Sequence, residues 1–160
     1  MIHKTLIIED NKAHMKALCK IVKELQRDIE IYCAYNTEQA YQLILEQHIH
    51  LFIIDIILNT KKPGDVSGLD FAREIRGISK YKFTPLVFIT SLEDPKLYSY
   101  SQLHCYGYIE KPFSVAQVKD IILGALEFPV KEDDDRYVYF RKDGIVYSCL
   151  LYTSDAADDL

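Results

Sequence analysis

Five polar side chains that could share one reaction centre are spread along this 160-residue chain. Three are carboxylates, one is a hydroxyl and one is an ammonium: Glu9, Asp10, Asp55, Thr90 and Lys111. Each stands at, or just after, the end of a short apolar run. Alone, a carboxylate or hydroxyl in such a place is usually a turn or capping residue, and a lysine is usually solvated. The recurrence of all five in one arrangement therefore points to a shared site.

The mixture of charges indicates what such a site would do. Two carboxylates about 4 Å apart repel by roughly 4 kcal/mol at an effective dielectric near 20, so the cluster needs raised pKa values, the lysine or a bound cation. Mg²⁺ prefers carboxylate oxygens and leaves positions open for phosphate oxygens. Asp55 could then attack a phosphoryl group in line, while Thr90 and Lys111 each bind one of its oxygens. The small Ser91 leaves room for that group.

Apolar runs alternate with helical patterns from the N-terminus to about residue 127. The predicted strands cover residues 5–8, 29–35, 51–55, 85–90 and 106–109. The first predicted helix follows Asn11 as its N-cap. The second follows Thr37 as its N-cap and has Leu45 on its apolar face. The other three predicted helices cover about 69–78, 95–103 and 114–128. Five strands alternating with five helices predict an α/β fold, a flavodoxin-like doubly wound parallel sheet in the order 2-1-3-4-5. Ligands bind beyond the carboxyl ends of such strands, where the five polar side chains should converge.

Residues 3–127 resemble a bacterial two-component receiver domain. The matching segments are the acidic pair Glu9-Asp10, the run LFIID ending at Asp55, Ser67-Gly68-Leu69, the strand ending at Thr90, and YIEKPF at 108–113. The resemblance implies that Asp55 is the phosphoacceptor and that Thr90 and Lys111 bind the phosphoryl group. It implies that Asp10, Asp55 and the backbone carbonyl of Ile57 ligate Mg²⁺, with Glu9 acting through water. It also implies a cis Lys111-Pro112 peptide bond.

The same resemblance implies a conformational switch. Tyr108 matches the family's switch aromatic, and phosphorylation would draw the Thr90 hydroxyl inward and let the ring follow. The change would reshape the face formed by the fourth helix, the fifth strand and the fifth helix, through which we expect a homodimer. The alternative is that Tyr108 is an ordinary half-buried strand residue. A sensor histidine kinase is the implied phosphoryl donor.

Two local features modify this picture. The loop from Asp55 to Gly68 is longer than is common in the family, and Asn59 stands where a proline is frequent. Ile57 and Leu92 flank the site and could hinder attacking water, which predicts slow hydrolysis of the phosphoaspartate. We therefore expect no enzyme beyond Mg²⁺-dependent self-phosphorylation and slow self-dephosphorylation. An aspartyl-phosphate phosphatase would want an acid at position 57, and a flavin module would want a glycine- and hydroxyl-rich loop after strand one.

The C-terminal residues read as a separate unit. Residues 129–135 are charged and predict a linker, and residues 136–148 predict a β-hairpin with its turn at Asp143-Gly144. That hairpin resembles the start of a LytTR-type DNA-binding domain, truncated here, which implies a transcription regulator that binds DNA only through the complete output domain. A stand-alone receiver that docks a partner protein is the alternative. Residues 149–160 include CLLYTSDAAD, which resembles a translated sequencing adapter, so we predict a non-native read-through tail.

Composition sets the remaining expectations. The formal net charge is -5, so the chain has no general attraction to DNA or anionic lipid. Its four cysteines include no C-x-x-C pair, and reduced thiols are the default expectation. No apolar stretch reaches the roughly 18 residues of a membrane span. We expect a cytoplasmic protein with no membrane partner.

Overall fold

Five parallel strands form the centre of the fold in a computed structural model, which describes residues 2–25, 27–91, 103–128, 137–142 and 145–150. The strands are β1 (His3–Ile8), β2 (Ile29–Ala34), β3 (Leu51–Asp55), β4 (Leu86–Thr90) and β5 (Gly107–Glu110). Their order in the sheet is β2-β1-β3-β4-β5, and each neighbouring pair is parallel. The predicted flavodoxin-like topology is confirmed.

The central strands owe their place to their unbroken apolar sequences. Every residue of β3 and of β4 is buried, because each strand is covered on both faces. Alternate residues of β3 point to opposite sides of the sheet. Phe52 and Ile54 join the core beneath the second and third helices, and Leu51 and Ile53 join the core beneath the first and last helices. The sheet is therefore doubly wound, as predicted.

Four α-helices are described: α1 (Lys12–Lys23), α2 (Thr37–Glu46), α3 (Ser67–Arg76) and α4 (Val115–Leu126). A 3₁₀ turn, Ser79–Tyr81, follows α3. The helix α4 is the fifth of the sequence prediction, and its Ser114 side chain caps it by accepting from the Gln117 amide. The predicted fourth helix, at about 95–103, lies almost wholly outside the described residues.

The start of α2 corrects one prediction. The N-cap is Asn36, whose side-chain oxygen accepts from the Gln39 amide at 2.8 Å, and Thr37 is the first residue inside the helix. Asparagine is at least as good an N-cap residue as threonine, and here Asn36, which precedes Thr37, is the N-cap. Leu45 is also not in the core and is 86% exposed. Successive helical residues are about 100° apart, so Leu45 turns away from the face that buries Ala40 and Ile44.

Arg76 ties the end of α3 to the chain on both sides of β4. Its guanidinium donates to the carbonyls of Tyr81 and Thr84 at 2.7 Å each, and to those of Leu103 and His104 at 2.7 and 3.2 Å. Burial lowers the pKa of this guanidinium to about 10, so it remains charged at neutral pH. The planar fork thus donates to four carbonyls, two that precede β4 in the chain and two that follow it.

The C-terminal hairpin consists of β6 (Tyr137–Lys142) and β7 (Ile145–Leu150), which pair antiparallel. The hairpin was predicted to end at position 148, but its second strand extends to Leu150. In the register of the two strands, Cys149 pairs with Val138. The predicted linker, the Asp143-Gly144 turn and residues 151–160 lie outside the described residues. Within the described residues, none of the helices has both the length and the apolar character needed to cross a bilayer.

Candidate functional site

The carboxyl ends of β1, β3 and β4 meet at one edge of the sheet. Register places Ile8 beside Ile54, and Asp55 beside Ile89, so Glu9 and Asp55 emerge close together. Thr90 is the last residue of β4, and its carbonyl accepts from the Lys111 amide at 2.8 Å. The topology therefore brings together the polar residues that the sequence separates by up to a hundred positions.

A buried ion-pair cluster occupies this edge. The Lys111 Nζ lies 2.7 Å from Asp55 Oδ2 and 2.9 Å from Glu9 Oε2. The Glu9 side chain is 0% exposed, that of Asp55 is 4% and that of Lys111 is 14%. Two backbone amides complete the arrangement: Ile57 donates to Asp55 Oδ1 at 3.1 Å, and Asn11 donates to Glu9 Oε1 at 3.1 Å. One ammonium thus faces two carboxylates that are almost closed to water.

The charges of this cluster shift each other's protonation. Burial, and then the charge of Asp55, raise the pKa of Glu9 to about 8, with Lys111 opposing the change. Burial disfavours the ammonium of Lys111, but its hydrogen bonds to Asp55 and Glu9 prevail and raise its pKa. Lys111 is therefore firmly positive, and its charge is shared between two acidic partners.

The three acidic residues could also hold a cation. Glu9, Asp10 and Asp55 can each present a carboxylate oxygen so that all lie within 4.8 Å of one another. Carboxylate oxygens in such a group suit a hard divalent ion such as Mg²⁺. The three carboxylates of the predicted donor set therefore lie together in the fold, and their chemistry fits the metal.

An open cleft of about 550 Å³ lies over this cluster. Among the predicted site residues, Asp10, Asp55, Ile57 and Lys111 line it, whereas Glu9 and Thr90 are buried and are not among its lining residues. Asn11, His14, Ser91, Thr60 and Pro112 complete the wall. His14 was missed from the sequence; its position in the first turn of α1, shortly after the acidic pair, is the signal that could have found it. Its Nδ1 lies 3.9 Å from Glu9 Oε1.

Asp65 organises the long loop between β3 and α3. Its Oδ2 accepts from the amides of Leu58 and Asn59 at 3.0 Å each and from the Ser67 hydroxyl at 2.8 Å. Partial burial would raise the pKa of Asp65, but these hydrogen bonds outweigh it and lower that pKa. Sequence reasoning missed this residue, although aspartate side chains commonly accept from a backbone amide two residues further on, as Asp65 does from the Ser67 amide at 3.5 Å. Asp65 closes the loop that borders the cleft.

Gly68 lies directly against the backbone of Asp55. A Cβ at this position would be 1.8 Å from the Asp55 carbonyl oxygen and 3.0 Å from the Ile56 Cα. The Gly68 amide also donates to the Ile56 carbonyl at 3.0 Å. Only glycine allows this approach, so the first turn of α3 is pressed against the residue that carries the candidate acceptor.

The remaining predicted features are found where the sequence placed them. Tyr108 is 37% exposed on β5, and Thr90 is 1% exposed at the end of β4. The Lys111-Pro112 peptide bond is cis, as the resemblance implied. The geometry assembles the predicted set, while the roles of its members in a reaction stay predictions.

Comparison with known proteins agrees with the fold described above and identifies a family. Residues 5–123 match the family model described as a response regulator receiver domain. The chain is similar to the chemotaxis response regulator CheY4 of Vibrio cholerae, with 18% identity, a TM-score of 0.63, and coverage of 78% of this chain and 99% of that chain. It is also similar to a signal receiver domain from Clostridium thermocellum, with 20% identity, a TM-score of 0.68, and coverage of 79% and 98%.

A third similar structure is the receiver domain of NtrX from Brucella abortus. It is 22% identical, with a TM-score of 0.64, and the alignment covers 78% of this chain and 99% of that chain. At these identities the solved structures establish the fold, and the family model carries the assignment.

Replacing Gly68 by alanine should damage both the fold and the site. The new methyl group would overlap the Asp55 carbonyl, and the backbone of either β3 or α3 would have to move. We expect a loss on the order of 3 kcal/mol in the free energy of unfolding, measured by urea denaturation. Gly107→Ala is the matched control, because its Cβ would meet only Ile121 at 3.9 Å. A Gly68→Ala protein as stable as wild type would show that the contact is not restrictive.

Removing the Lys111 charge should destabilise the metal-free protein. In Lys111→Met, the buried side chains of Asp55 and Glu9 would lose the ammonium that they share, and we expect a loss on the order of 3 kcal/mol in the free energy of unfolding, measured by urea denaturation in EDTA. Lys119→Met is the control: its Nζ lies 3.4 Å from Glu24 Oε2 on a far more exposed surface, and its loss should be within about 1 kcal/mol. Equal losses in the two variants would contradict the importance of the buried pair.

Proposed function

The chain belongs to the response regulator receiver domain family, and on that premise we propose that it accepts a phosphoryl group on Asp55 from a sensor histidine kinase in the presence of Mg²⁺. The observation that carries the proposal is the single carboxylate of Asp55, which lines the cleft and is held by Lys111 at 2.7 Å within an acidic cluster. Carboxylates are established nucleophiles for aspartyl-phosphate chemistry. We expect the protein to act in the cytoplasm.

Mg²⁺ would be held by Asp10, by Asp55 and by the backbone carbonyl of Ile57, with Glu9 acting through water. All but Glu9 line the cleft, and the three carboxylates can bring oxygens within 4.8 Å of one another. When bound, the ion supplies positive charge to the oxygens of the incoming phosphoryl group. The raised pKa of Glu9 fits a residue that sits behind the direct ligands.

The protein's own groups would position the reaction. One Asp55 oxygen attacks phosphorus while the bond from phosphorus to the donor imidazole nitrogen breaks, and the electron pair stays on that nitrogen. The Lys111 ammonium, now 2.7 Å from Asp55, would bind an oxygen of the transferred group. The Thr90 hydroxyl would donate to a second oxygen. Ile57 lines the cleft and supports slow hydrolysis of the product, whereas Leu92 lies outside the described residues.

Thr90 and Tyr108 would convert this event into a change of surface. In the register of β4 and β5, Phe88 lies beside Tyr108 and Thr90 lies beside Glu110. Thr90 and Tyr108 are therefore close neighbours on adjacent strands. Tyr108 is 37% exposed, a state from which its ring can move inward. Movement of Thr90 toward the phosphoryl group would favour the inward position. The altered face around β5 and α4 would then support a homodimer.

The output of the switch would be transcription. We assign the hairpin of β6 and β7 to the start of a LytTR-type DNA-binding domain, on the strength of its sequence pattern and its antiparallel pairing. DNA would be bound by the complete output domain. The alternative is a receiver that docks a partner protein without DNA. Sequencing the gene beyond codon 148 tests the assignment, and an open reading frame without further LytTR-like strands would contradict it.

Phosphorylation can be tested on the purified chain with acetyl phosphate as a small donor. We expect one added phosphoryl group in the presence of Mg²⁺, measured by intact mass, because Asp55 lines the cleft. The same reaction in EDTA should give none. A phosphoryl group that is lost within seconds of removing the donor would argue against slow hydrolysis of the phosphoaspartate.

Two aspartate variants make this test specific. Asp55→Asn should take up no phosphoryl group, because the nucleophilic carboxylate is gone. Asp70→Asn removes a carboxylate whose side chain is 60% exposed on α3, and it should be labelled like wild type. Labelling that persists in Asp55→Asn would refute the acceptor assignment.

The switch can be followed with 3-fluorotyrosine in the protein. The ¹⁹F signal that disappears in Tyr108→Phe identifies the ring, and we expect this signal to shift when Asp55 is phosphorylated. Thr90→Val, which lacks the hydroxyl, should be phosphorylated without the shift. Sedimentation velocity on the same samples should show dimers only in the phosphorylated wild type. A shift retained in Thr90→Val would disprove the coupling.

A further inference from the structure

Two cysteines outside the cleft face each other between α1 and β2. The Sγ atoms of Cys19 and Cys33 are 3.5 Å apart. Cys19 is partly buried on α1, and Cys33 is exposed on β2, which forms one edge of the sheet. We propose that this pair is an oxidisable dithiol that forms a reversible disulfide and so links α1 covalently to β2.

The geometry requires only a small rearrangement. A disulfide bond is about 2.05 Å long, so the two sulfur atoms must approach by roughly 1.5 Å. Cys33 lies on an edge strand that is paired on one side only, with Ile7 of β1, and its side chain is exposed. Small rotations of both side chains, with a slight shift of that strand, can therefore close the distance.

The fold also makes the pair selective. Cys105 is buried in the core on the side of α2 and α3, whereas Cys19 packs on the opposite core, with α1 and α4. The five-stranded sheet separates these two thiols. Among the three cysteines whose side chains are described, Cys19 and Cys33 are thus the pair that can react together.

The chemistry is thiol–disulfide exchange with a low-molecular-weight disulfide as the oxidant. The exposed Cys33 thiolate attacks one sulfur of that disulfide, and the first small thiolate leaves. The Cys19 thiolate then attacks the Cys33 sulfur, and the second small thiolate leaves. The protein loses two thiol protons and two electrons, and the oxidant becomes two thiols.

The environments of the two thiols set the order of these steps. Burial, followed by the hydrogen bond to Cys33 and the charge of Cys33, raises the pKa of Cys19 to about 11. Cys19 is therefore mostly protonated and is a poor first nucleophile, which leaves entry to the accessible Cys33. Once Cys33 carries the mixed disulfide, its thiol hydrogen bond and its charge no longer oppose ionisation of Cys19.

The fold and the disulfide should stabilise each other. The bond would join residues 14 positions apart and so restrict the unfolded chain. By linkage, folding should favour formation of the bond by the same factor, roughly 100-fold for a loop of this size. Oxidation should accordingly raise the melting temperature by several degrees.

The experiment exposes the full chain to oxidised glutathione, blocks remaining thiols, and maps peptides without reductant. We expect a linked Cys19–Cys33 peptide, its loss on adding dithiothreitol, and a higher melting temperature for the oxidised protein. Formation should be roughly 100-fold less favourable in concentrated urea, where the fold is absent. Cys105→Ser and Cys149→Ser are the controls and should form the same bond.

Single substitutions separate the two steps. Cys19→Ser should stop at one glutathione adduct on Cys33, and Cys33→Ser should form no internal bond and show no rise in melting temperature. Because Cys33 is exposed, its serine variant should fold normally. Absence of the Cys19–Cys33 peptide in folded wild type, or equal formation in urea, would overturn the proposal.

Discussion

The Lys111 ammonium between two buried carboxylates is the interaction on which the rest of this site depends. Its Nζ is 2.7 Å from Asp55 and 2.9 Å from Glu9, and both acidic groups are almost closed to water. Buried charges are tolerable only when paired, and the lysine supplies that partner to Asp55, which lines the cleft. The same ion-pair cluster joins the last residue of β3 to the residues that follow β1 and β5, and it therefore holds the functional edge of the sheet together. A charge already poised at the acceptor has little distance to travel toward a bound phosphoryl oxygen.

The sheet and the polar cluster could be predicted from the sequence because both follow from short-range patterns. Unbroken apolar runs such as LFIID identify strands buried on two faces, and the parallel order then forces their carboxyl ends together. Glu9, Asp55 and Lys111 could be placed at one edge without knowledge of any contact. Their distances, and the burial that raises the pKa of Glu9, needed coordinates because both depend on how neighbouring loops cover the strand ends.

The features that were missed depend on paths that no local pattern fixes. His14 reaches the cleft only because α1 begins immediately beyond the acidic pair, and Asp65 acts through a loop whose course is set by its own hydrogen bonds. The Asn36 cap was mistaken for Thr37 because two good capping residues stand side by side and backbone geometry chooses between them.

The hydrogen bond from the Gly68 amide to the Ile56 carbonyl, 3.0 Å long, has a consequence for how this fold can vary. It clamps together the two ends of the segment that leads from the acceptor to α3. Extra residues inserted between these ends cannot displace the aspartate; they must bulge outward, where Thr60 already contributes to the rim of the cleft. Lengthening that segment would thus change how far the loop covers the cleft, while the position of the Asp55 carboxylate would stay the same.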